Sequence, residues 1–199
     1  MQCIEQDSLN RRRSIYSLSS VLPISENCFI DTVESCVLHC PTPFNVQSAR
    51  VTILFDKKHR LLWDTLWSKL KGLVSGQQAA SVHQKIEAFK RANGTILFFE
   101  DKKALSSLKK KFPLYAKNMR IWTQQANGIL QYMIWQTLAE NEVGASLQHY
   151  NELLEDEIYS LFDLPKNWEL VAQMPFGAIE SEPAEKTFLP VEERLKILH

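Results

Sequence analysis

The chain has 199 residues and a mass of 23.0 kDa, with 45% hydrophobic and 23% charged residues and 23 basic side chains against 23 acidic ones. That length holds one ordinary domain with its own core, and the composition excludes disorder of the chain as a whole. Zero formal net charge gives no global pull toward nucleic acid or anionic lipid, and apolar runs such as Gly94 to Phe99 are far too short to cross a bilayer.

Met1 to Arg13 is polar and then basic, without the apolar stretch of a secretory leader, so a reducing, cytoplasmic setting is expected. Four cysteines, Cys3, Cys28, Cys36 and Cys40, lie in the first fifth of the chain, contain no CxxC pair and read as free thiols. Cys36 and Cys40 would share a helix face beside His39. No second ligand pair with zinc-like spacing follows, so they read as small apolar core residues and no metal is expected.

Arg11-Arg12-Arg13-Ser14 sets cations beside a hydroxyl. That is what a phosphate monoester needs, and it is also what an ordinary solvated basic turn looks like. Ser25 to Cys40 is a predicted helix, capped by Ser25 or Asn27 and stopped by Pro41-Thr42-Pro43. The loop after it carries two carboxamides, Asn45 and Gln47, able to read the edge of a heterocycle or to cap the next element. Arg50 to Asp56 is a predicted strand. His59 to Val74 and Gln77 to Ala92 are amphipathic helices, the second closed by Asn93-Gly94, with His59 and His83 expected in solvent.

Thr95 to Phe99 is a predicted strand covered on both faces, and Asp101 to Lys111 a short charged helix whose Lys109-Lys110-Lys111 run reads as a solvated face. Met119 to Glu142 is the longest helical pattern, with a wide apolar stripe and Gly128 as a point where another backbone approaches. Gly144-Ala145-Ser146 reads as a small-residue turn that lets a flat ring approach the backbone or simply connects two elements. Leu154 to Phe162 is a short helix, and Trp168 to Met174 a strand ended by Pro175-Phe176-Gly177. The tail from Glu180 is polar and extended, in the manner of a segment that packs on a partner subunit. Alternating helices and strands point to a single α+β or α/β domain. No GxSxG, HExxH, P-loop or GxGxxG is present.

Six segments in order carry a resemblance: Arg12 to Tyr16, Pro41 to Ser48, Gly94 to Asp101, Gly144 to Asn151, Ala172 to Gly177 and Glu185 to Phe188. Across nearly its whole length the chain resembles the FMN-dependent nitroreductase family, in the compact branch of small bacterial and fungal stress-response oxidoreductases. The resemblance implies an α+β fold, a helix-flanked mixed sheet, in an interlocked homodimer with FMN at the subunit interface. It implies that Arg12, Arg13 and Ser14 hold the phosphate, ribityl chain and pyrimidine edge. Asn45 and Gln47 would meet the ring from the same or the opposite subunit. Gly144, Ala145, Ser146, Leu147, Gln148 and His149 would pass beneath the ring, and Lys186 and Arg194 would reach the phosphate from the tail. Tyr16 stands in the binding segment where many members carry Lys or Arg, Phe188 where larger members carry a second basic residue, and Ser48-Ala49 where full-length members carry Pro-Trp.

The implied activity is hydride transfer from NADH or NADPH to the flavin, then electron transfer to a nitroaromatic, quinone or similar planar acceptor, in a ping-pong cycle without a catalytic side chain. Phe44, Trp122 and Tyr150 are candidates to stack on such acceptors or to pack in the core. A flavin-binding regulator of oxidative or lipid-related stress with little turnover is the alternative, and a flavin-free interaction domain the third reading. No nucleic acid and no membrane partner is expected.

Overall fold

A computed structural model describes residues 6–199; Cys3 and the start of the polar N-terminal stretch lie outside the described residues. Helix α1 (Gln6–Arg11) leads to α2 (Glu26–His39), β1 (Ala49–Phe55), α3 (Asp56–Leu70), α4 (Gly76–Lys90), β2 (Gly94–Asp101) and α5 (Lys102–Lys111). Then come α6 (Ala116–Glu140), β3 (Val143–Ala145), α7 (Asn151–Leu161) and β4 (Trp168–Ala178). Of the two cap candidates for α2 it is Ser25 that caps, and Asp101, expected inside α5, is its cap instead. Ser25 Oγ accepts from Cys28 N at 3.2 Å, and Asp101 Oδ1 accepts from Lys103 N at 2.9 Å.

The strands lie in the order β1-β2-β4-β3, every pair antiparallel. The parallel component of the expected mixed sheet is confined to an isolated bridge between Ser14 and Ala145. Alternation along β2 splits the core in two. Ile96 and Phe98 face α2 and α6 with Ala172, Met174 and Phe176; Leu97 and Phe99 face α3, α4 and α7 with Trp63, Phe89 and Leu170. Each such large side chain, fully buried, contributes roughly 1.5–3 kcal/mol. All eight residues of β2 are buried, as a strand covered on both faces requires.

Four further local expectations differ from the structure. Gly144-Ala145 is not a turn but most of strand β3, paired with Gly177 and Phe176. β4 does not stop at Met174 but runs on through Pro175. The carbonyl of Pro175 accepts from Ser146 N at 3.3 Å, so its missing N–H falls on the side where β3 has already ended. His59 is buried, not solvated. Among the described residues nothing approaches Gly128, which faces outward.

Candidate functional site

The basic N-terminal segment and β3 meet. Ile15 N donates to Ala145 O at 2.9 Å, which puts Ser14 beside Ala145. The tail then folds back over the segment: Arg13 Nη2 donates to Ala184 O at 2.6 Å. Between them lies a cavity of about 500 Å³ lined by Arg12, Arg13, Ser14, Tyr16 and Lys186, with tail residues Ser181 to Ala184 closing it. That volume is within the usual range for small-molecule sites. Among the described residues no carboxylate forms an ion pair with Arg12, Arg13 or Lys186. Three cations and a hydroxyl, against the single carboxylate of Glu182, leave the cavity a net positive donor set of the kind a phosphate dianion takes. The guanidinium of Arg12 lies 4.4 Å above the Trp135 ring, and the Trp135 Nε1–H is buried without a partner. The residues present therefore fit the phosphate end of FMN. The sequence reading missed Trp135 and the closure of the cavity by Ser181 to Ala184; Trp135 stands outside the apolar stripe of α6, so helical period gave no signal for it.

The stretch from Gly144 to His149 is mostly buried. A Cβ on Gly144 would meet Ile179 and Leu18 side-chain atoms at 2.8 Å, so its bareness serves packing within the chain. Leu147 joins the α2–α6 core. Gln148 Nε2 donates to Ser146 Oγ at 3.1 Å, and Gln148 N and Gln173 O are 2.7 Å apart. His149 is exposed, its Nδ1 3.4 Å from Val171 O. Tyr150 is core rather than acceptor wall, edge-on to Trp63. Arg194 sits on an exposed turn of the tail and does not line the cavity of Lys186.

Asn45 and Gln47 belong to another part of the chain. Gln47 lines a groove of about 780 Å³ between α2 and β1 that contains none of the N-terminal cations. Phe44, Asn45 and Gln47 all have left-handed backbones, with φ of 51°, 52° and 48°. Such residues cost roughly 1–2 kcal/mol each, and the loop is pinned against that cost. Gln47 N donates to Thr42 Oγ1 at 3.1 Å, and Arg50 Nη1 donates to Gln47 O at 2.6 Å. Phe44 stacks on Phe112 with centroids 4.3 Å apart, and Tyr115 and Trp122 complete the cluster.

Next to this loop, Glu100 is buried. Asn127 Nδ2 lies 3.4 Å from its Oε2, and its Oε1 has no partner. Burial, the largest influence, pushes its carboxyl above the usual range, against the lowering influence of the polar neighbours Ser48, Asn127 and Thr123 and the charge of Arg50. The Cys36 thiol is likewise pushed up by burial, as is Cys40, and no metal-type cluster of His, Cys, Asp or Glu occurs among the described residues.

The family model for the nitroreductase family matches residues 9–178. This chain belongs to the nitroreductase family. The Saccharomyces cerevisiae nitroreductase homologue HBN1 is 32% identical over 184 residues, 92% of this chain and 91% of that one. The nitroreductase CinD from Lactococcus lactis, solved with nicotinic acid, is 37% identical with a TM-score of 0.90, covering 98% of this chain and 99% of that one. CinD has also been solved with chloramphenicol and with 4-nitrophenol. A nitroreductase-type protein of Desulfovibrio desulfuricans solved with FMN shares the fold, with a TM-score of 0.70 at 15% identity over 98% of this chain and 96% of that one. Membership makes this a nitroreductase-family oxidoreductase with the nitroreductase fold. No helix among the described residues is long and apolar enough to cross a membrane.

Proposed function

We propose that the protein is an FMN-dependent oxidoreductase that oxidises NADH or NADPH and reduces nitroaromatic, quinone or similar planar acceptors at one site. The observation that carries this reading is the cavity in which Arg12, Arg13, Ser14 and Lys186 converge, with one acidic residue, Glu182, in its lining and, among the described residues, no ion pair to any of the three cations. The flavin, when bound, supplies the hydride and electron chemistry. Arg12 and Arg13 neutralise and orient its phosphate, Ser14 adds a neutral donor, and Lys186 holds the same group from the tail. The Arg13 bond to Ala184 O ties the tail down so that it shields the phosphate from water. Asn45 and Gln47 offer amide donors and acceptors to a ring edge from a loop held rigid by Thr42 and Arg50. Small aromatic ligands in the CinD structures support planar acceptors as the substrate class.

In one chain the cation cavity and the Asn45–Gln47 loop do not share a pocket. A homodimer that brings the loop of one copy to the cavity of the other completes the site. Three features support it. The outward face of α6 shows Ile121, Ile129 and Tyr132 around the bare Gly128. β1 is an unpaired sheet edge beside the apolar groove under α2. The tail from 180 to 199 exposes Phe188, Leu189, Val191, Leu195, Ile197 and Leu198, the side chains such a groove would take from a partner. The unpaired thiols Cys28, Cys36 and Cys40 suit the cytoplasm.

The test is steady-state turnover of purified protein with NADH or NADPH and 4-nitrophenol or menadione, with FMN content measured on the same sample. Oxidation of the nucleotide coupled to loss of acceptor supports the reading. FMN-loaded protein with no turnover on any acceptor contradicts it and favours the regulator; colourless protein that FMN does not reconstitute removes both.

A further inference from the structure

A chain of zero net charge hides a strong local asymmetry. From Lys102 to Ala139 there is no Asp or Glu, but there are seven cations: Lys102, Lys103, Lys109, Lys110, Lys111, Lys117 and Arg120. That leaves 16 basic against 23 acidic residues in the rest of the chain. Arg120 is neutralised by Glu169 at 2.6 Å. Among the described residues none of the six lysines has a carboxylate partner.

The geometry concentrates them. Asp101 caps α5, and Leu105 and Leu108 bury the opposite side against Met119. A spacing of seven residues is close to two helical turns, so Lys102 aligns with Lys109 and Lys103 with Lys110 on the solvent side. Lys111 swings the other way, its Nζ 5.4 Å from the centroid of Phe112. Phe112 is the ring on which Phe44 stacks, and Phe44 precedes the Asn45–Gln47 loop. At the mouth of this cluster Phe44 is 48% and Leu114 85% exposed. A cationic helix thus runs into an open aromatic surface, and that surface is continuous with the loop assigned to the ring edge of the cofactor.

An aromatic face beside unpaired lysines selects a ligand that is planar at one end and polyanionic at the other. We propose that α5, with Lys111, Lys117 and the Phe44–Phe112–Tyr115–Trp122 cluster, docks the phosphorylated adenosine end of the dinucleotide reductant and favours NADPH over NADH. The proposal rests on the redox reading above for the identity of the ligand. The extra 2′-phosphate is the charge that distinguishes the two reductants, and a field of compact ammonium groups is what would register it. Continuity with the Asn45–Gln47 loop favours a nucleotide over a lipid surface or nucleic acid, neither of which needs that loop.

The decisive experiment titrates 2′,5′-ADP and 5′-AMP into the purified protein, following Trp122 fluorescence and calorimetry at low and moderate salt, beside kcat/KM for NADPH and NADH. Two charge-reversal triples are compared: Lys103→Glu/Lys110→Glu/Lys111→Glu, and Lys57→Glu/Lys58→Glu/Lys71→Glu as a control of equal charge on α3 and just beyond its end. In the unaltered protein 2′,5′-ADP binds more tightly than 5′-AMP, and salt weakens it more. The α5 triple loses roughly tenfold or more of that affinity, as three reversed surface charges imply, and the NADPH-to-NADH ratio of kcat/KM falls with it. The control triple keeps both. Equal affinity for the two nucleotides in the unaltered protein overturns the proposal even if neither triple folds. So does equal loss in both triples. Loss of binding to phosphatidylglycerol vesicles or to duplex DNA in the α5 triple, with 2′,5′-ADP binding intact, overturns it in favour of those partners. Nucleotide binding is read with or without flavin, so FMN-free protein that still prefers 2′,5′-ADP sinks the redox reading while leaving the docking site standing.

Discussion

At the scale of single residues, His59 shows how a buried polar group sets a pH limit. Its Nε2 lies 3.2 Å from the Lys90 carbonyl, which only accepts, so Nε2 carries the proton and Nδ1 accepts from Thr95 Oγ1 at 2.8 Å. Thr95 Oγ1 in turn accepts from Trp63 Nε1 at 3.0 Å. A second proton on His59 would aim two N–H groups at one hydroxyl. Burial, the largest influence, lowers its pKa from the ordinary 6.5 to about 4. Below pH 6.5 the unfolded chain therefore takes up a proton that the native state refuses. Stability falls as pH drops from about 6.5 to about 4, by on the order of 3 kcal/mol. Denaturant midpoints across that range check it, and His59→Gln flattens this limb. Glu100 acts in the opposite sense. Its raised pKa means the unfolded chain releases its proton first, so stability declines as pH rises above about 4.5 toward the native value. Glu100→Gln keeps the shape without the charge, so it is more stable than the unaltered protein at pH 8 and equal to it at pH 4. His59 was read as solvated because a lone His in a charged helical segment carries no mark of the threonine 36 residues away that buries it. Arg12, Arg13 and Ser14 were legible as a local cluster of cations and a hydroxyl; that Lys186 joins them at one cavity is set by the fold of the tail.

At the scale of elements, the long helices and β2 were legible from periodicity, and Ser25, one of two cap candidates, sits one residue before the helix it starts. The β3–β4 edge was not, because Gly144, Pro175 and Gly177 are loop residues by local propensity and strand residues by packing. Gly177 shows why. A Cβ there would fall 2.2 Å from the Ser19 carbonyl oxygen and 3.1 Å from Asn93 N, both backbone atoms that cannot step aside. Gly177→Ala is accordingly expected to cost at least about 3 kcal/mol, beyond ordinary overpacking. Chemical denaturation would show the loss as a lower midpoint; an unchanged midpoint would mean the segment from Ser17 to Val21 is not held against β4 as described. Gly128→Ala, with open space around it, is expected to leave the stability of the isolated chain unharmed.

At the scale of the whole molecule, a single chain leaves three surfaces uncovered: the α6 face, the β1 edge with its groove, and the apolar tail. Truncation before Phe188 keeps Lys186 but removes the side chains proposed to fill the partner's groove. The expected outcome is a shift from dimer to monomer in analytical ultracentrifugation and weaker retention of FMN; an unchanged dimer would move the interface to α6 alone. That the Asn45–Gln47 loop and the cation cavity lie in separate pockets of one chain was beyond the sequence, since spacing along a chain says nothing about which segments meet in space. The most direct measurement is the visible absorption spectrum of the purified protein, with the chromophore released by denaturation, quantified and repeated for Arg13→Ala. The account predicts a two-banded flavin spectrum, FMN near one per chain, and a clear loss of FMN in the variant. A colourless protein that takes up no added FMN, or a variant that holds it as firmly as the unaltered chain, would contradict the assignment of the Arg12–Arg13–Lys186 cavity.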